Sequence, residues 1–258
     1  MNAVGFTDVG GFVAPLYWQQ YLNEGNIGIV AGQLDPLDFV DIFGVGSQWT
    51  SFQNAATTAN LALPLPDLGC GFGGGNKFDD QWVVGFTAHH LNGSQTNMDC
   101  FPGGPELYKQ AYVSWAPSRS LRLSNAVHLT TWHADSRDSG HGSGKGLALS
   151  ANWLFAGTWM PFIRVGFANG EAAIMKSPMS GGFTYRLGQG RSEVGAAVSF
   201  QKPDLDQLDR QTTLDIYFRW QVTPGLAVTP SLQCLRNPAL NPEQTNVVLG
   251  GLRIRYTP

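Results

Sequence analysis

From about Trp82 to the end of the chain, apolar and polar residues alternate with a period of two. In Thr213–Val222, Leu214, Ile216, Phe218, Trp220 and Val222 fall on one side, and Thr213, Asp215, Tyr217, Arg219 and Gln221 on the other. Successive side chains of an extended chain point to opposite faces, so this segment reads as a strand with one apolar and one polar face. The pattern recurs. Leu121, Leu123, Val127 and Leu129 oppose Arg122, Ser124, His128, Thr130 and Trp132, while Leu147, Leu149, Ala151 and Trp153 oppose Ser150 and Asn152. Trp159, Ile163, Val165 and Phe167 oppose Arg164, and Val194, Ala196, Val198 and Phe200 oppose Glu193, Ser199 and Gln201. Leu226, Val228, Pro230 and Leu232 oppose Thr229, Ser231 and Gln233, and Leu252, Ile254 and Tyr256 oppose Arg253 and Arg255.

Many of these segments run to ten residues or more, where ordinary strands peak near five or six. Their connections alternate in length. Phe155–Thr158, Leu187–Gly190 and Val222–Gly225 read as tight turns, whereas Asp135–Gly144, Gly170–Pro178, Pro203–Arg210 and Asn237–Gln244 read as longer polar loops. Short turns at one rim and long loops at the other are the layout of an outer-membrane β-barrel. Trp115, Trp153, Trp159, Tyr185, Trp220 and Tyr256 lie near strand ends, where interfacial aromatic girdles form. A soluble antiparallel sandwich alternates too, but its polar face meets bulk water and would carry many Lys and Glu. Here that face carries Arg, Ser, Thr, Gln, Asn and Tyr.

The first third differs. Leu16–Leu22 and Asn26–Leu34 read as a hairpin about Asn23-Glu24-Gly25, followed by a long connection, residues 35–66, in which Leu37–Phe43 forms a short helix. A connection that long in a compact chain is usually functional, and inside a barrel its natural use is to fold inward and narrow the lumen. The whole of 1–258 reads as one all-β domain of about thirteen strands, an antiparallel transmembrane barrel with an inward-folded loop and short helix.

Composition fits that reading. Charged residues are 14% of 258, and glycine is 32 of 258; a chain this poor in charge and rich in aromatics is not disordered. The net charge of −3 provides no basic footprint for nucleic acid. No apolar run approaches the roughly 20 residues of a spanning helix, but a spanning strand needs only about 9–11. Met1–Val13 lacks the basic start and apolar core of a signal peptide. Cys70 and Cys100 flank one hairpin in glycine-rich segments, and an oxidising compartment would allow a disulfide between them; the sequence leaves them bridged or free. Three cysteines without a close pair do not make a zinc site.

Several motifs resemble those of a known family. Gly32-Gln33-Leu34-Asp35, Phe39-Val40-Asp41 and Gln48–Asn54 resemble the early region of OprB-type carbohydrate-selective porins. Phe162-Ile163-Arg164-Val165-Gly166 is similar to that family's Phe-x-Arg-x-Gly strand, and Thr213–Arg219 to its penultimate hairpin. Val228–Gln233, Asn237-Pro238 and Val248–Arg253 resemble its closing strands. The resemblance implies a sixteen-stranded bacterial outer-membrane channel, monomeric or trimeric, that passes small sugars by diffusion, with no catalysis and no cofactor. Set against the family, the resemblance implies that its first strands are missing here, and the chain ends Tyr256-Thr257-Pro258; a fragment and a smaller barrel both stay open as expectations.

A sugar channel needs hydrogen-bonding groups along a wet lumen and aromatic faces for the rings. Arg164, Arg219, Arg253 and Arg255 are the expected donors, Asp215 and Glu193 the acceptors, and Tyr217 and Trp132 the ring surfaces. Arginine suits the role because its planar fork offers fixed donors and stays charged. The other reading is that these charges pair across neighbouring strands to hold the wall. Asp35, Asp38 and Asp41 belong to the expected constriction, either tuning selectivity or capping its helix. Gly69–Lys77 lacks the Gly-Lys-Ser/Thr ending of a phosphate loop and reads as a glycine-rich turn. His89 and His90 sit on opposite faces of one strand and cannot share a metal unaided. His133, Asp135, Asp138 and His141 lie in a polar loop, as do Asp204, Asp206 and Asp209; both read as solvated rather than metal-binding. No GxSxG or HExxH motif marks an enzyme. The competing reading from another class is a soluble carbohydrate-binding β-sandwich; a membrane-barrel enzyme would need a nucleophile and base that the sequence does not provide.

Overall fold

The structure, a computed structural model, describes residues 15–257 apart from 40, 42–44, 46, 48, 95–99, 101–103, 105, 139, 141, 189–191 and 206. Of the positions used in the sequence reading, Met1–Val13, Val40, Phe43, Gln48, His141, Gly190, Asp206 and Pro258 lie outside the described residues. The strands are β1 (Tyr17–Leu22), β2 (Ile27–Leu34), β3 (Gly69–Phe78), β4 (Trp82–His90), β5 (Leu107–Trp115), β6 (Asn125–Ala134) and β7 (Gly144–Trp153). They continue as β8 (Trp159–Gly170), β9 (Met175–Leu187), β10 (Ser192–Pro203), β11 (Gln211–Thr223), β12 (Leu226–Arg236) and β13 (Asn246–Tyr256). All thirteen form one sheet in chain order, each strand antiparallel to the next. With thirteen strands, β1 and β13 run in the same direction.

The alternation read from the sequence becomes rows of directly opposed residues. Ser150, Arg164, Ser180, Ser199 and Thr213 face one another in turn across β7 to β11, and all five are buried. One residue away along each strand, Ile163, Gly181, Val198, Leu214 and Cys234 form a second row. Its large members Ile163, Val198 and Leu214 are exposed. The distribution is that of a soluble protein turned inside out: buried Asp215 and Thr213 alternate with Leu214, Phe218 and a 55% exposed Trp220. In a sandwich a second sheet would cover those apolar side chains. In a bilayer hydrocarbon covers them, and strands of 11–13 residues from β8 to β13 are long enough to span it. Among the described residues no helix is long and apolar enough to cross a membrane.

The rims differ as the connections predict. Even-numbered strands end at one rim, whose connections include 35–68, 91–106, 135–143 and 237–245; odd-numbered strands end at the other, with turns such as 23–26 and 224–225. The six aromatics expected at the membrane interfaces all lie near the short-turn rim. There Trp82 meets Trp115 at 6.5 Å and Trp115 stacks on Trp153 at 6.1 Å.

Four local readings are corrected. Gly69–Lys77 is not a turn but most of β3; its glycines alternate with Cys70, Phe72 and Asn76, and paired neighbours on both sides keep it extended. Leu121 and Leu123 are not in a strand, because residues 119–121 form a 3₁₀ turn and β6 starts only at Asn125. The connection after β8 is not a long loop: β9 starts at Met175, where the Met175 N–H donates to the Leu61 carbonyl at 3.3 Å. The helix expected over 37–43 is a 3₁₀ turn at Pro36–Phe39, and a four-residue helix α1 forms instead at Ala55–Thr58. Cys70 and Cys100 are joined in a disulfide that ties the 91–106 connection to β3.

Two expectations follow. Ile216→Arg places a charge on the apolar face and is expected to lower stability in lipid vesicles by about 2–4 kcal/mol in a urea titration; an unchanged titration would put Ile216 away from hydrocarbon. Cys70→Ser releases a cross-link spanning 30 residues, worth about 3–4 kcal/mol on the chain-entropy model. It is expected to lower the melting temperature and open the 91–106 connection to added protease, and protection equal to the parent's would contradict this.

Candidate functional site

The described residues of 35–66 leave β2 at the long-loop rim and fold inward against the polar face of β8 to β13. A segment brought inside must find partners for its peptide groups, and the wall supplies them. Arg219 Nη1 donates to the Thr50 carbonyl at 3.0 Å and Arg253 Nη2 to the Ser51 carbonyl at 3.1 Å. The Asn54 N–H donates to Asp215 Oδ2 at 3.0 Å, and its side-chain amide donates to Gln233 Oε1 at 2.9 Å. Asn54 is also the N-cap of α1, its Oδ1 accepting from the Ala56 N–H at 3.0 Å. Further along, Asn60 Nδ2 donates to the Val165 carbonyl at 3.0 Å.

Packing follows the same line. Phe52 is fully buried with its ring 5.7 Å from Phe162 and 4.9 Å from Tyr217, worth about 1.5–3 kcal/mol relative to exposure. Two glycines make room for this close approach. A Cβ on Gly166 would collide with Ala62 and stand 2.6 Å from Asn60 Oδ1, and one on Gly195 would collide with Tyr217 and stand 2.9 Å from the tip of Phe52. Gly166 is the last residue of the Phe162–Gly166 motif, and its role is to admit the segment.

The expected site residues divide accordingly. Arg164 is buried with Asp41 Oδ2 at 3.8 Å from its Nη2. Arg219 stands directly across from Glu193 and pairs with it at 3.6 Å, and the Tyr217 hydroxyl donates to Glu193. Pairing across neighbouring strands is therefore present for Arg219 with Glu193, whereas Arg164 pairs with the folded-in segment. Tyr217 is covered by Phe52, and Trp132 is buried against Tyr108 at 6.3 Å, so neither presents a free ring in this arrangement. Arg219 and Arg255 both line a cavity of about 440 Å³ at the short-turn rim. Asp35 precedes the 3₁₀ turn, its carbonyl accepting from the Asp38 N–H at 3.2 Å.

On the opposite side of the segment, between the 3₁₀ turn and the inner face of β1 to β5, lies a cavity of about 400 Å³. Tyr17, Gln19, Tyr21, Asp38, Lys77 and Tyr112 stand on its wall. The rest of that wall is unusually bare: Gly28, Gly75 and Gly85 oppose one another directly across β2, β3 and β4, and Tyr112 lies across Gly85 and Gly75. Lys77 Nζ donates to the Gly25 carbonyl at 3.1 Å and sits 5.9 Å from the centre of the Tyr21 ring. Partial burial raises the Asp38 carboxyl above the usual range. A second cavity of about 230 Å³ shares Phe39, Val83 and Tyr112 and continues to Asp41, Arg122 and His128. Burial, followed by the neighbouring Arg119, lowers the Arg122 pKa. The sequence reading missed Tyr17, Gln19, Tyr21, Tyr112 and Arg122. The alternation of glycines in Gly71-Phe72-Gly73 and Gly75 was the available signal, since an inner face without side chains marks where a lumen stays open.

Among solved structures, the fold is similar to that of Pseudomonas putida OprB at high pH, with a TM-score of 0.73 and 15% identity over 92% of this chain and 71% of that one. A variant of the Rhodopseudomonas blastica porin aligns with a TM-score of 0.60 at 11% identity, covering 97% of this chain and 79% of that one. The anion-selective porin of Comamonas acidovorans aligns with a TM-score of 0.58 at 11% identity, covering 89% and 70%. No curated protein sequence matches the chain. The family model of carbohydrate-selective porins, OprB family, matches residues 108–257, more than half of the sequence. The inside-out sheet, the unequal rims and the inward segment are the parts of a porin, and the chain belongs to the OprB family of carbohydrate-selective porins, bacterial outer-membrane channels rather than enzymes.

Proposed function

We propose that small sugars cross this protein by facilitated diffusion through the space between the folded-in segment and the β1–β5 wall. The observation that carries this reading is the 400 Å³ cavity in which tyrosine rings, an amide, a carboxylate and an ammonium group surround a glycine surface. A pyranose has apolar C–H faces and a rim of hydroxyls. Tyr17, Tyr21 and Tyr112 offer rings for the faces, while Gln19, Asp38 and Lys77 exchange hydrogen bonds with the rim. Each contact is weak and several lie along the path, the condition for a solute both to enter and to leave.

In this mechanism the basic wall has two roles. Arg253 and Arg164, with Asp215, Glu193 and Tyr217, fix the segment and so set the width of the passage. Arg219 holds the segment through Thr50 and, with Arg255, offers donors to sugar hydroxyls at the short-turn rim. Asp38 brings negative charge to the passage and Arg122 positive charge, while Asp41 is paired with Arg164, so charges of both signs line the path and neither sign dominates it.

Single-channel recording in planar bilayers tests the assignment. Tyr17→Ala combined with Tyr112→Ala is expected to weaken the block of ion current by glucose about three- to tenfold while conductance changes little. Arg253→Ala is expected to loosen the segment and raise conductance. Block that survives the tyrosine changes but disappears in Arg219→Ala would place the sugar path along the arginine wall instead.

A further inference from the structure

We propose that a cavity at the long-loop rim, between α1 and the connections after β10 and β12, binds a small apolar group of about six carbons that carries a hydrogen-bond acceptor. The largest apolar side chains of its lining are Leu61, Ile174, Met175, Leu205, Leu208 and Leu240. Its volume is about 140 Å³, close to the engineered apolar cavity of about 150 Å³ that takes up benzene in another protein. Leu205 and Leu240 are 63% and 68% exposed and form its mouth.

One polar atom decides the chemistry. Gln201 is 1% exposed, its Oε1 accepts from Gln211 Nε2 at 3.2 Å, and its Nε2 has no partner among the described residues. The other polar side chains on the wall are held by hydrogen bonds or, for Asp204, by an ion pair. Asn54 is held by Gln233 and the Ala56 N–H, Gln211 Oε1 accepts from the Ala239 N–H at 2.9 Å, and Asp204 pairs with Lys176 at 3.5 Å. Buried donors in folded proteins are almost always satisfied. A buried water needs two to four polar partners, and besides Gln201 Nε2 this lining has, among the described residues, only Asp204 Oδ1 without a hydrogen bond, an oxygen already ion-paired with Lys176. A ligand that is apolar apart from one ether, hydroxyl or carbonyl oxygen meets both requirements.

The cavity opens where a solute arriving from the long-loop side would meet the protein. Resting on the sugar passage proposed above, the substrate class extends to glycosides with an aryl or short alkyl group: that group enters this cavity with its linking oxygen on Gln201 Nε2, and the glycoside is held at the long-loop rim before it moves into the passage.

The test uses the whole chain in lipid nanodiscs, titrated calorimetrically with phenol and corrected for empty nanodiscs. Phenol is expected to bind at one site, Gln201→Met to weaken it about fivefold, and Leu208→Trp, which fills the cavity from its half-buried loop position, to abolish it. Both variants should leave conductance and glucose block as in the parent. Phenol binding that is absent, or unchanged in both variants, overturns the site. Liposome swelling then compares phenyl glucoside with glucose. Faster entry of the phenyl glucoside that Leu208→Trp removes supports the glycoside class, and equal entry overturns it. If glucose itself fails to enter while phenol binding behaves as expected, the sugar passage fails and the apolar site stands.

Discussion

Arg219 and Arg253 each donate to a carbonyl of the folded-in segment, and Asp215 accepts from one of its amides. The remaining features of the interior depend on that exchange. The peptide groups of residues 50–54 would be costly inside a narrow lumen without acceptors and donors, and the charges of the wall would be costly without partners. Each set answers the other. Because hydrogen bonds to charged groups are worth about 1.5–3 kcal/mol each, these contacts offset much of the entropy of ordering residues 50–54, and burial of Phe52 adds to them.

The exchange also divides the lumen. One side of the segment is closed by Phe52, Phe162 and Tyr217 and by glycines that let the chain come close, while the other faces a wall where glycines leave space uncovered. Glycine thus serves opposite ends on the two sides: at Gly166 and Gly195 its missing side chain is filled by the segment, and at Gly28, Gly75 and Gly85 it helps leave room for a solute. The outer face carries none of this specificity. Ile163, Val198, Leu214 and Phe218 need only be apolar, since hydrocarbon covers them without regard to shape.

Most of the fold was legible from one property, the period-two pattern, because in a two-faced strand the sequence parity of a residue is its side of the sheet. Thr213 to Val222 lie in β11 as read, and against the expected count of about thirteen, thirteen strands are present among the described residues. Where parity is silent the reading failed. In Gly69–Lys77 the alternating partner of Phe72 is glycine, so the strand looked like a turn; at Leu121 and Leu123 a chance alternation crossed a 3₁₀ turn. Parity also assigned Arg164, Tyr217 and Trp132 to the inner face without saying what they meet there. That depends on where a thirty-residue connection settles around the wall, which is fixed by long-range contacts such as Asn54 with Asp215 and Asn60 with Val165. The tyrosines of β1 and β5 were overlooked for the same reason.

The central claim is that one face of every strand meets hydrocarbon while the other encloses the segment and the water beside it. It is tested most directly by spin labels placed one at a time at positions 213 to 220 of β11, with Cys234 replaced by serine and the protein in lipid vesicles. Collision with molecular oxygen reports hydrocarbon, and collision with a nickel chelate reports water. The account predicts oxygen maxima at Leu214, Ile216, Phe218 and Trp220 and minima at Thr213, Asp215, Tyr217 and Arg219. Oxygen access without that alternation, or a chelate that reaches Leu214, Ile216 and Phe218, would contradict it.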